Sequence, residues 1–306
     1  MLDIALAGTG GFMPMHNRYL TAMLARLNGS MLLIDCGEGT QMTLRRVGWG
    51  FKDIDVICIT HFHADHTAGL PGLLLTMGNS GRTEPVVIAG PKGIREVVSH
   101  LCVVAPLPFE AHFMELSPKG GNPVDFQAGI YQLSALALAH HMPCLGYRIT
   151  VARAGRFDAQ RAKQLGLPVT FWSKLQGGEI IEYEGKRYTP DMVMGSARKG
   201  LRVSYITDTR PTAAIPGFIH GSDLFIAEGL YGDDAMLEQA AQKKHMVFSE
   251  AAALAKSGDV REMWLTHFSP AMTDPAGFLD TARHIFPNTK TGVDRMSMTL
   301  RFQDDD

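Results

Sequence analysis

The run from Asp55 to Gly72, D-V-I-C-I-T-H-F-H-A-D-H-T-A-G-L-P-G, constrains this chain more than any other. Val56 to Ile59 is an unbroken apolar stretch and reads as a buried strand. His61, His63, Asp65 and His66 follow at its exit. Side chains two apart on a strand share a face, so His61 and His63 can point at one metal ion. The chain then turns, and Asp65 and His66 can face a second ion close by. Imidazole and carboxylate suit zinc. A lone buried histidine is usually a satisfied core residue. Four polar groups crowded at the end of a buried strand all need partners, and a metal supplies them.

The rest of the composition is that of an ordinary globular protein. The chain has 306 residues, 45% hydrophobic and 20% charged, enough for one large domain or two small ones. A formal net charge of -2 excludes a global pull toward nucleic acid or an anionic membrane, so RNA binding requires a local basic surface. No apolar run approaches the ~20 residues of a spanning helix. The start, M-L-D-I-A-L-A-G-T-G, has no basic segment ahead of its apolar residues and reads as a first strand, not a signal peptide. Cys36, Cys58, Cys102 and Cys144 form no C-x-x-C pair. Buried, reduced thiols in a cytoplasmic protein are expected.

Along the chain, Leu2 to Ala7 reads as a strand closed by Gly8-Thr9-Gly10-Gly11. The spacing lacks the third glycine of a dinucleotide fingerprint, so this is a tight turn that lets backbone approach a site. Asn28-Gly29 between two apolar runs predicts a hairpin. Asp35-Cys36-Gly37-Glu38-Gly39-Thr40-Gln41 is a strand-turn-helix joint. Gly90-Pro91-Lys92-Gly93 opens a helix and suits either an ordinary helix start or an anion. Strands end again at His140-His141, Asp208, Glu228 and His267. Residues 151–200 hold nine Lys or Arg against five Asp or Glu, a surplus of four positive charges in an otherwise acidic chain. This segment reads as an inserted module. The tail, 303–306, is charged.

The H-x-H-x-D-H motif resembles that of the metallo-β-lactamase superfamily. The resemblance implies an α/β fold, a four-layer αββα sandwich with a two-metal site at the sheet edge. It leaves the reaction open among lactams, thioesters, phosphodiesters and RNA. D-C-G-E-G-T-Q is more specific and resembles the tRNase Z family, endonucleases that trim the 3′ end of precursor tRNA. Matches continue in family order at His140 to Tyr147, Asp208 to Pro211, His245 and Leu265 to Phe268. Met246-Val247 after His245 departs from the family's small hydroxyl residue.

That resemblance implies two zinc ions per subunit, ~3.5–4 Å apart. One is held by His61, His63 and His140, the other by Asp65, His66 and His267, with Asp208 bridging. His140 rather than His141 is selected by its place three before Pro143. Asp35 would orient a metal-bound histidine. Asp65 would accept a proton, and His245, held by Glu228, would protonate the leaving 3′-oxygen. The products would be a 3′-hydroxyl on the tRNA and a 5′-phosphate on the trailer. The remaining histidines, at 16, 100, 112, 141, 220 and 284, are assigned no role. The chain is expected to be a single domain, 1–306, with 151–200 as an exosite arm that serves the partner subunit of a homodimer. Val169-Thr170-Phe171-Trp172 replaces the family's Gly-Pro-rich arm tip, and Phe171 and Trp172 suit stacking on nucleotides or, equally, packing on the body or a second subunit. The alternative function is a related phosphodiesterase acting on small or cyclic phosphodiesters.

Overall fold

The computed structural model describes residues 1–103 and 106–303; of the charged tail only Gln303 lies within them. Two compact units are present, one formed by Met1–Thr150 and Arg202–Arg301, the other by Val151–Leu201 with Phe302 and Gln303.

The larger unit contains two seven-stranded sheets. In the first, Ser297–Leu300, Leu2–Gly8, Ala22–Leu27, Ser30–Ile34, Ile54–Cys58, Val86–Pro91 and Ala111–Leu116 lie side by side in that order. The first four pair antiparallel and the remainder parallel. The hairpin turns at Asn28 (φ 50°) and Gly29 (φ 89°), pairing Leu27 with Ser30. Both residues are left-handed, as the tightest hairpin turn demands. In the second sheet, Thr289–Thr291, Met263–Thr266, Leu224–Glu228 and Arg198–Ile206 run parallel. Cys144–Arg153, Tyr131–Leu138 and Val124–Ala128 complete it.

Helices cover the outer face of each sheet. Leu44, Leu73, Leu74, Met77, Ile94 and Val98, from three helices, pack on Leu24, Leu33, Ile57 and Ile88 of the first. Phe218, Phe248, Ala252 and Ala282 do the same on Phe225, Ala227 and Leu265 of the second. Between the sheets, tyrosines of the second reach the first. Tyr131 Oη donates to Ser30 O (2.6 Å), Tyr147 Oη to Ile59 O (2.7 Å), and Tyr205 Oη lies 3.1 Å from Thr21 Oγ1. A buried phenol needs such a partner, and each one fixes one sheet against the other. These are the four αββα layers that the motif resemblance implied.

Several elements went unread in the sequence: the edge strands Ala111–Leu116 and Val124–Ala128, and the closing strands Thr289–Thr291 and Ser297–Leu300. They are short or half polar, so apolar alternation does not reveal them.

The smaller unit has its own core. Ala162, Leu167, Leu175, Ile181, Tyr188 and Val193 are buried together. Phe171 and Trp172 serve this core: Trp172 stacks against Phe157 (5.3 Å), Phe171 against Tyr183 (5.2 Å), and Trp172 Nε1 donates to Leu167 O (3.1 Å). The expectation that these rings stack on nucleotides or on the body is corrected accordingly. They extend the small apolar core of this module.

Candidate metal centre

Every donor read from the sequence sits just past the carboxyl end of a strand, where open α/β sheets build their crevices. Ile54–Cys58 delivers His61, His63, Asp65 and His66; Arg198–Ile206 delivers Asp208; Met263–Thr266 delivers His267; Tyr131–Leu138 delivers His140. Leu145 N donates to Thr60 O (2.9 Å), joining the two sheets at this point. Asp35, Asp208 and His267 all have positive φ (60°, 50° and 59°). Such backbone costs on the order of 1–3 kcal/mol each and persists where the surroundings dictate it. Here it swings the side chain at each strand exit back over the sheet edge.

The structure brings the seven donors together. One ligand atom from each of His61, His63, His140 and Asp208 lies within 4.8 Å of the others, and the same holds for Asp65, His66 and His267. Asp208 spans both groups: Oδ1 is 3.2 Å from His66 Nε2 and 3.4 Å from His267 Nε2, and Oδ2 is 3.7 Å from His61 Nε2. His66 and His267 present Nε2 to each other at 3.2 Å, as His61 Nε2 and His63 Nδ1 do at 2.9 Å. His245 joins Asp208 and His267 in a third group.

Behind the donors stands a layer of acceptors. Asp35 Oδ2 is 2.8 Å from His66 Nδ1, and Asp35 Oδ1 accepts from Thr60 N (2.8 Å). Glu228 Oε2 is 2.9 Å from His245 Nδ1, while Oε1 accepts from Thr209 N (2.5 Å). His140 Nδ1 faces Lys244 O at 3.3 Å. Arg210 grips Glu250 through both terminal guanidinium nitrogens and donates to His245 O, fixing the segment that carries His245. Sequence reading missed Arg210 and Glu250, because nothing in D-T-R-P or F-S-E-A says that they meet.

Electrostatics suit a cation. Burial pushes His61 well below its ordinary pKa, aided by neighbouring histidines, and pushes His140 down to about 4. Burial also lowers His63. These rings are neutral at pH 7 and offer lone pairs. Burial would raise the Asp208 carboxyl, but His267, His66 and His61 outweigh it and hold it well below the usual range. Asp65 is likewise lowered against burial by His267 and His66. His66 is raised against burial by Asp208 and Asp35, so without a cation it keeps a proton that metal binding would release. His140 Nε2 is buried with no hydrogen-bond partner, an orphan that a metal would satisfy. The donor set therefore fits a divalent metal.

The Gly8–Gly11 turn approaches this centre as its reading required. A Cβ on Gly11 would lie 2.7 Å from His267 Cε1, so the backbone passes directly over that ring. The turn at Gly90–Gly93 follows the strand next to Ile54–Cys58, a Cβ on Gly93 would lie 3.8 Å from Phe62 Cε2, and Gly93 N–H donates to Glu115 Oε1 (3.0 Å). A carboxylate of the chain itself thus occupies part of the turn considered for phosphate. His16, His100, His112, His141, His220 and His284 are all exposed.

The αββα sandwich with a His/Asp centre at its sheet edge defines a metal-dependent hydrolase of the metallo-β-lactamase fold. The chain resembles the solved short form of human tRNase Z (TM-score 0.72, 23% identity, 98% of this chain and 100% of that one) and the metallo-β-lactamase-fold protein YhfI of Bacillus subtilis (TM-score 0.69, 18% identity, 97% and 98%). A family profile described as Anti-Pycsar protein Apyc1 matches residues 2–101. Ribonuclease Z of Lachnospira eligens is 51% identical over 306 residues, covering all of both chains. The chain belongs to the ribonuclease Z family, and is a hydrolytic endoribonuclease acting in tRNA 3′ processing. No helix among the described residues is long and apolar enough to cross a membrane.

Proposed function

We propose that this protein removes the 3′ trailer of precursor tRNA with two zinc ions, leaving a 3′-hydroxyl on the tRNA and a 5′-phosphate on the trailer. The convergence of seven donors in two groups, with Asp208 within reach of both, in a chain half identical to a ribonuclease Z over its whole length, carries this reading. His61, His63 and His140 would hold one ion, Asp65, His66 and His267 the other, with Asp208 shared. Zinc at such sites supplies Lewis acidity and lowers the pKa of water to about 7.

The chain's own residues do the rest. Asp65 stays ionised and accepts a hydrogen from the attacking water, which aims a lone pair at phosphorus. His245 carries a proton on the side where the 3′-oxygen departs, and Glu228 keeps that ring turned and charged. Arg210 and Glu250 fix the backbone of His245. The metal centre meets only a phosphodiester, so choice of tRNA falls to a surface that reads RNA shape. The basic arm, 151–200, is that exosite, acting across a homodimer in the cytoplasm.

Incubating one precursor tRNA with the purified protein, with metal analysis and mapping of both new ends, tests the reading. Cleavage at the trailer junction with about two zinc ions per chain is expected. Preferential hydrolysis of a cyclic nucleotide would move the assignment to small phosphodiesters.

A further inference from the structure

A cleft of about 640 Å³ opens beside the metal centre, lined by none of the seven donors. That is within the size range of small-molecule sites. Phe12 forms its inner lip, 47% exposed and held at φ 67°. Its N–H donates to Asp65 Oδ2 (2.7 Å). Its ring stands edge-on to His245 (5.7 Å between centroids, 80°) and His267 (6.3 Å, 61°). Lys243 Nζ lies 5.8 Å from the ring centre. An exposed aromatic in a strained backbone conformation, tied to three residues of the reaction centre, is not explained by packing.

The walls are set in advance. Arg18 donates to the carbonyls of Ser269 (3.4 Å), Met272 (2.9 Å) and Thr273 (3.3 Å), holding one side. On the other, Gly232 lies under the Phe278 ring, where a Cβ would fall 2.3 Å from Cγ. The charged groups facing the cleft are Lys243, Asp233 and Asp274. The two carboxylates accept from Ala235 N (2.9 Å) and Ala276 N (3.1 Å), and their charge disfavours a phosphate there. A flat, neutral ring with a polar edge suits this lining better.

We infer that the cleft receives the nucleobase of the nucleotide whose 3′-oxygen leaves, with Phe12 as its stacking face. This rests on the proposed function, in which His245 protonates that oxygen. The ring in edge contact with His245 then lies beside the nucleotide that bears it. Phe12 is a specificity-determining residue that fixes which phosphodiester meets the centre.

Two precursor tRNAs test this, identical except that one lacks the base immediately 5′ of the cut. For the parent enzyme, loss of the base should lower kcat/KM about tenfold. Phe12→Ala should lose about as much on the intact substrate, mainly through KM, and little more on the abasic one. Phe12→Trp should keep the discrimination and Phe12→Leu should lose it. Equal losses for Phe12→Ala on both substrates, or full discrimination by Phe12→Leu, would overturn the inference. Phe278→Ala, on the far wall, should also blunt discrimination, and serves if Phe12→Ala does not fold. A second readout uses chelator-treated protein and a fluorescent RNA ending in a 3′-hydroxyl at the cut, with and without its last base. The parent should bind the intact end more tightly and Phe12→Ala should bind both alike; equal binding by the parent would overturn the inference. If the parent cuts no precursor tRNA, the proposed function fails, and this binding comparison still decides the cleft.

Discussion

His66 turns Nδ1 toward Asp35, a carboxylate that only accepts, and His140 turns Nδ1 toward the carbonyl of Lys244. Each ring therefore carries its proton on Nδ1 and offers Nε2 to the centre, the usual way a ligating imidazole is oriented. Asp65 both faces the donors and accepts from Phe12 N, so its loss removes charge and a tether together. Asp65→Ala should lower precursor cleavage by more than about 100-fold while leaving the far-ultraviolet spectrum unchanged. Activity within tenfold of the parent would remove Asp65 from the mechanism. His245 is raised above its ordinary pKa because Glu228 and Asp208 outweigh burial. Its proton is present below that pKa and lost as pH rises through it, so kcat should fall on the alkaline side. Glu228→Gln withdraws the raising charge, and the alkaline limb should move to lower pH. A limb that stays in place would show that this pair does not set the proton donor.

The joint after Asp35 works because its glycine is space, not only freedom: a Cβ on Gly37 would lie 2.3 Å from the Asp65 carbonyl, and one on Gly69 would lie 2.2 Å from the Gly37 carbonyl. The strand-to-helix turn after Asp35 and the joint at Gly69 between the helices Ala64–Thr67 and Leu70–Asn79 are thus nested against each other, and the nesting sets the height of Asp65. Gly11 approaches the His267 ring in the same manner. Gly11→Ala should push that ring aside and weaken metal affinity about tenfold or more, read by competition with a chromogenic chelator. Stability in urea should drop by only about 1–3 kcal/mol, the ordinary result of overpacking. Unchanged metal affinity would show that the turn merely lies near the centre.

At the scale of the molecule, the chain forms a larger unit with the two sheets and a smaller unit with its own core. The sheets place donors from residues 61 to 267 at one edge. The smaller unit carries the positive surplus and spends its aromatic rings on its own core. Under the proposed function, this unit would meet RNA chiefly through its charged surface. Deleting residues 155–195 should reduce precursor tRNA cleavage at least tenfold more than hydrolysis of a small aryl phosphodiester, and raising salt should erase much of that difference. Equal losses on both substrates would argue against an exosite.

Much of the centre was legible in the chain alone, because its constraints are local. Three histidines and an aspartate at one strand exit declare themselves through the mismatch between polarity and burial, whereas His140, Asp208 and His267 took their roles from the resemblance of their motifs. The hairpin at Asn28-Gly29 did so through backbone conformation that few residues adopt, and the turn at Gly8–Gly11 through a close approach that leaves no room for a Cβ. Tertiary structure alone decided what depends on distance in space between residues distant in sequence. Arg210 meeting Glu250, Glu115 occupying the Gly93 amide, Phe171 and Trp172 turning inward and Phe12 standing on the rim of a cleft are all of this kind. A sequence pattern reports which face of an element is apolar. Which neighbour fills that face is a property of packing, and only the folded chain contains it.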